Sequence, residues 1–322
     1  MAPAHADGLS KFNELIKPKI QPPDSLTYKS AKALGDNGFE LDDVVFTPPP
    51  DATAGSKAEP IKIKSVVVDE ADFDQIAKEA PPNFIKMRVQ GIDIAQKPAK
   101  GIDLKALAGI DKASADFQLD YRVDPAKKTM TVNRIEFDLN GLARLELTMV
   151  LDNITVDMNA PADKAMNDAT LRTASLVYDD HSLLAKSLPA AAKSMSMDEP
   201  GAMIMLAKTF LDALRAGQGE ATQNAFDGLE SYMEDYKAPK GPLRVTLSPP
   251  GKVTAAVLTN AKGADDVIEA LGLKVDYAGT RKMAPTPAAG GGGAAAKDAA
   301  KDAKGATKDE DDDATKDVTK GK

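Results

Sequence analysis

Apolar and polar side chains alternate almost without error through TVNRIEFDLNGLARLELTMVL, residues 131–151. A period of two puts every second side chain on one face of an extended chain, so the stretch predicts two half-buried strands about Asn140-Gly141. A two-residue loop there would pair Phe137 with Arg144 and Asp138 with Ala143, mixing the faces. A three-residue loop, Asn140 to Leu142, sets Leu139 opposite Ala143, Phe137 opposite Leu145 and Ile135 opposite Leu147, and brings Asp138 beside Arg144 on the outer face. The three-residue loop is therefore expected, although one long strand bulged at Gly141 would keep the same alternation. Upstream, Phe117, Leu119, Tyr121 and Val123 share a face, with Asp116, Gln118, Asp120 and Arg122 opposite, and Asp124-Pro125 begins a turn.

The same reading extends along the chain. SKFNELIKPKI gives a short helix on Phe12, Leu15 and Ile16 that Pro18 stops. Residues 26–46 read as two strands about Gly35–Gly38, IKIKSVVV (61–68) as a β-branched strand and DEADFDQIAKEA (69–80) as a short helix ended by Pro81-Pro82. FIKMRVQGIDI and TLRTASLVY are further strands. From about Ser182 to Tyr236 the period becomes helical. Met203, Leu206, Ala207, Phe210, Leu211 and Leu214 form one stripe, with Asp198 as cap, Pro200 in the first turn and Gly217 at the stop; Phe226, Leu229, Met233 and Tyr236 form another. LRVTL and VTAAVLT, joined by SPPGK, read as a hairpin, ADDVIEAL as a helix closed by Gly272, and LKVDY as a last strand.

From Ala284 the sequence turns to Ala, Gly, Lys and Asp with scarcely an apolar anchor, a composition that cannot offset ordering entropy and predicts a disordered tail. The expected organisation is an N-terminal segment (1–24) with its short helix, one body (25–283) with a helical insert at about 182–236, and the tail (284–322). The fold class expected is α+β, a curved antiparallel sheet with a covering helical segment.

Composition narrows the function. The 322 residues carry net charge −8 with both signs interspersed, so the clustered basic face that nucleic acid demands is missing. No run reaches the roughly 18 apolar residues of a membrane-spanning helix. The chain contains no Cys and two His, which excludes disulfides, zinc-thiolate sites and thiol catalysis. Ala2-Pro3-Ala4 and Ala4-His5-Ala6 match the small-x-small pattern of an export-signal cleavage site, the second better because Asp7 follows; an exported, periplasmic protein whose signal has been trimmed is the expectation.

Recognisable catalytic chemistry is scarce. Asp179-Asp180-His181-Ser182 holds the residue types of a hydrolytic triad, but neighbours in sequence do not converge as nucleophile, base and orienter, and a strand-to-helix turn with a polar cap explains them better. No phosphate loop occurs. Met195, Met197, Met203 and Met205 could offer thioethers to copper(I), yet residues two apart on a helix point in different directions, so adaptable apolar packing is the better reading. No cofactor, metal site or catalytic residue is expected.

LTYKSAKALGDNGFELDDVVF, DYRVDPAKKTMTVNRIEFDLNGLARLELTMVL, and SPPGKVTAAVL with ALGLKVDY together resemble the exported Gram-negative envelope proteins with long amphipathic strands, of the AsmA and YdgA type. The resemblance implies an envelope role in lipid handling and no catalytic residues. It also implies an N-terminal membrane anchor, which these residues do not include. An amphipathic sheet needs a cover, and the helical stripes match it, so a closed core is the default and a lipid-sized cavity the alternative. If an apolar ligand lies between sheet and helices, the residues expected to line its site are Phe137, Leu145, Leu147, Met149, Met203, Leu206 and Phe210. A scaffold acting on another envelope protein is the second expectation.

Overall fold

The computed structural model describes residues 6–49, 59–94, 109–110, 112–154, 169–197, 199–253 and 260–282. The chain divides into two units, Met1–Thr286 and Pro287–Lys322. Everything below concerns the first; the expected tail lies outside the described residues.

The fold is α+β, as the alternation and the helical insert predict, and is built on a curved, open antiparallel sheet. Its strands are β1 Leu26–Thr27, β2 Ser30–Ala33, β3 Phe39–Phe46, β4 Ile61–Ala71, β5 Phe84–Ile94, β6 Ala113–Asp124, β7 Thr129–Leu139, β8 Ala143–Asp152, β9 Thr170–Asp180, β10 Leu243–Leu247 and β11 Leu273–Asp276. From β3 to β11 their spatial order is their chain order, with β1 and β2 sharing the outer side of β3. The meander is the simplest product of successive amphipathic strands joined by local turns. Asp124 makes one such turn by accepting the Lys127 N–H at 3.0 Å.

The β7–β8 register is the one the faces demand. Leu139 pairs with Ala143, Phe137 with Leu145, Ile135 with Leu147 and Asp138 with Arg144. The Leu142 N–H reaches back to the Leu139 carbonyl at 2.8 Å, and Gly141 takes the left-handed φ of +73° that closes the loop.

Helices lie at both ends of the sheet. At the N-terminal end a helical run passes from α1 (Gly8–Lys11) through a π segment (Phe12–Ile16) into a 3-10 turn (Lys17–Lys19) that contains Pro18. Its Phe12 lies in a buried cluster with Phe39, Leu41, Val44, Val68, Ala71 and Phe73, the Phe12 and Phe39 rings 4.5 Å apart. The expected 69–80 helix is shorter: β4 runs on to Ala71 because Glu70 and Ala71 still pair with β5, and Asp72 then caps α2 (Phe73–Ala77) by accepting the Gln75 N–H.

At the other end, α3 (Leu183–Ser194), α4 (Pro200–Arg215) and α5 (Glu220–Glu234) follow β9, and α6 (Ala264–Leu271) precedes β11. Helix α5 packs on β11 and β10, and α6 on α5 and β11. Pro200 opens α4 and Gly272, with φ +55°, closes α6; the expected cap Asp198 lies outside the described residues. Of the expected hairpin of LRVTL with VTAAVLT, LRVTL forms β10, which is paired with β9 on one side and β11 on the other. Residues 254–259 of that segment also lie outside the described residues.

Candidate apolar binding surface

Register carries the apolar face across the sheet in three rows. Ile135, Leu147, Leu176, Val245 and Val275 are successive partners from β7 to β11. Phe117, Phe137, Leu145, Tyr178 and Leu243 form a bulkier row beside them. Val132, Met149, Ala174, Leu247 and Leu273 form the third. Pairing in register keeps all three on the same side of the sheet.

The helical cover over this face is partial. At the β9–β11 end, Tyr232 of α5 meets Tyr178 edge-on at 6.0 Å and Tyr277 at 5.1 Å, and Gly228 lets α5 approach Val275 so closely that an added Cβ would stand 3.0 Å from its methyl group. Over the β7–β8 hairpin, Phe137 and Leu145 remain 42% and 40% exposed. Among the described residues the helical cover therefore stops short of these two side chains. The helices leave the sheet at the end of β9 and return to it at β10, so α5 and α6 lie over the last strands.

Between those strands and helices is a pocket of about 430 Å³, lined almost wholly by apolar side chains, among them Leu214 of α4, Phe226 and Leu229 of α5, Val267 of α6, Val245 and Val275. Val245 and Val275 belong to the row that ends on Leu147 and Ile135, so the pocket lies on the same side of the sheet as the open face.

Helix α4 is turned from the orientation its stripe predicts. It packs chiefly on α3 and α5. Leu206 and Phe210, with Met205 and Leu214, are among the most exposed large apolar residues, while Met203, Ala207 and Leu211 are half-buried. In this orientation Lys208 reaches Glu234 on α5, and Arg215 reaches Asp227 at 3.1 Å. The seven expected site residues therefore fall into two groups. Phe137, Leu145, Leu147 and Met149 are neighbours on β7 and β8, whereas Met203, Leu206 and Phe210 lie along α4. Of α4's stripe it is Leu214 that shares a pocket with sheet residues. Phe226, Leu229, Val245, Val267 and Val275 are additions that sequence reasoning missed as site residues. Their own periodicity places them on inward faces, but only the β9–β10–β11 register brings them together.

The polar groups near this surface serve structure. Asp180, 5% exposed, accepts the Tyr178 hydroxyl at 2.6 Å and the Leu184 N–H at 3.0 Å through one oxygen, thereby capping α3. Burial, together with the hydrogen bond to Asp180, pushes the Tyr178 hydroxyl well above the ordinary tyrosine range. Asp179 turns toward Arg144, His181 is exposed, and Ser182 donates to the Gly141 carbonyl. The four residues of the apparent triad thus do not converge. Among the described residues no group of three or more His, Cys, Asp or Glu side chains is placed to hold a metal ion, and no helix is long and apolar enough to cross a membrane.

No curated protein matches the chain. A family model whose description reads "Uncharacterized protein" matches residues 136–278, a span that runs from within β7 through β11 and holds α3 to α6 with the pocket.

Proposed function

We propose that this protein is a non-enzymatic, exported binder of a lipid or other apolar ligand, held between the sheet and the helices. The observation that carries the reading is the 430 Å³ apolar pocket, on the same side of the sheet as the exposed Phe137 and Leu145 of β7 and β8. A pocket of this size and lining suits an apolar small molecule, and extended apolar surface left open to water is a mark of binding. The setting we propose is the periplasm, on the export-like N-terminal pattern and the envelope-protein resemblance. Native mass spectrometry of gently purified protein, followed by solvent extraction, tests it. A stoichiometric lipid is expected; a bare mass, with no uptake of a fluorescent fatty acid, overturns it.

The exposed apolar side of α4 favours a second reading, an envelope scaffold that docks another protein on Met205, Leu206 and Phe210. Crosslinking in cells from a photoreactive residue at position 206 should then capture one discrete partner, and a surface that captures none rules this out.

A further inference from the structure

The contact between α4 and α5 contains an unbalanced charge cluster. Arg215 and Asp227 are 4% and 5% exposed, and Glu230 is fully buried. The guanidinium stands 2.5 Å from Asp212, 3.1 Å from Asp227 and 3.6 Å from Glu230. Neither carboxylate oxygen of Glu230 has a hydrogen-bond partner among the described residues. One guanidinium therefore faces three carboxylates; it is hydrogen-bonded to Asp227, and Glu230 is the fully buried one with neither oxygen hydrogen-bonded among the described residues.

Among the described residues the surrounding charges are largely engaged elsewhere. On α4 the remaining cation, Lys208, pairs with Glu234 and gives Glu230 a smaller opposing pull than Arg215 does. On α6, Asp265 accepts from the Gly219 N–H and from Thr222, Asp266 accepts from the Lys262 N–H, and Glu269 is exposed. Lys274 and Asp276 on β11 and Arg244 on β10 alternate with the inward Val275 and Val245, and so lie on the opposite face of the sheet. Arg281 pairs with Glu234 and Asp235.

We propose that Glu230 is a proton-operated latch: while its carboxyl is neutral α4 stays packed on α5, and loss of the proton drives α4 away and opens the pocket wall that Leu214 supplies. Two carboxylates against one guanidinium leave a single excess negative charge. Asp212 is partly open to water, but Asp227 and Glu230 are not, so ionising Glu230 adds a second buried negative charge to a guanidinium already shared, and a buried charge without adequate partners is costly. Burial accordingly holds the Glu230 carboxyl above its ordinary range, opposed in part by Arg215 and reinforced by Asp212. The fold leaves α4 able to respond. It packs chiefly on other helices, and the left-handed residues Ser196 (φ +58°) and Gly217 (φ +76°) flank it. The effect on ligand access rests on the apolar-ligand reading, whereas the movement of α4 does not.

Hydrogen exchange of the full chain, wild type against Glu230→Gln at the same pH, reads the latch. At about pH 9 the α4 amides of the wild type should exchange about tenfold faster than those of the variant, and at about pH 5 the two should match. Unchanged circular dichroism over that range separates local opening from unfolding. Equal exchange in the two proteins at both pH values, or faster exchange only where circular dichroism is lost, overturns the latch. Glu230→Met is a second neutral side chain should the Gln variant fold poorly. Fluorescent fatty-acid uptake on the same samples separates the two ideas: no uptake at any pH, with α4 still responding, defeats the ligand reading and leaves the latch.

Discussion

Asp180 joins three pieces of the molecule through one carboxylate: the end of β9, the first turn of α3 and the Tyr178 ring under α5. Replacing it with Ala removes a helix cap and the partner of a buried hydroxyl, and should lower stability by about 1–2 kcal/mol in urea unfolding. The sequence anticipated the polar strand-to-helix turn, yet which of its residues would cap depended on Asp180 being drawn inward by pairing with Ala143. Gly8 is a different case, because nothing local requires glycine there. A Cβ at that position would stand 2.2 Å from the Gly38 carbonyl oxygen, so Gly8→Ala must push the N-terminal helix off the sheet, at a cost of about 1–3 kcal/mol in thermal unfolding. Glu230 makes a prediction about pH. Its carboxyl is raised in the fold above the ordinary 4.5, so between that value and its folded value the native state holds more protons than the unfolded chain. Its contribution therefore lowers stability as pH rises through that window, and Glu230→Gln should remove the decline from a series of urea titrations.

At the scale of elements, the β7–β8 hairpin shows how strongly a buried face fixes register. Deleting Ala143, with the three-residue loop kept, would set Leu139 against Arg144 and Phe137 against Glu146, turning one strand's apolar side toward water. The expected outcome is loss of cooperative thermal unfolding rather than a modest fall in melting temperature. Period and turn chemistry made this register readable in advance, because both strands are local and the loop is short. They could not orient α4, whose apolar stripe read as core. With that stripe outward, Lys208 pairs with Glu234 and Arg215 with Asp227 across the helices, and those partners are 26 and 12 residues away in sequence.

Across the whole molecule the apolar surface is shared unequally between core and exterior. Phe12 is 3% exposed within the N-terminal cluster, and Phe12→Ala should cost about 3–5 kcal/mol. Phe137 and Leu145 are half open to water, so Phe137→Gln with Leu145→Gln should change stability far less while abolishing most fatty-acid uptake. A double variant that loses stability as much as Phe12→Ala would show that these side chains are core. What the sequence by itself determined is whatever depends on neighbours close along the chain: most strands and their faces, the β7–β8 register, Pro200 at the start of α4 and Gly272 at the end of α6, and the α+β class. Only the tertiary structure decided where the helices sit on the sheet, which way α4 faces, and hence that an apolar pocket and an exposed apolar face lie on the same side of the sheet. Those choices come from packing and charge pairing between distant segments, and periodicity reports which side of an element is apolar, not what lies opposite it.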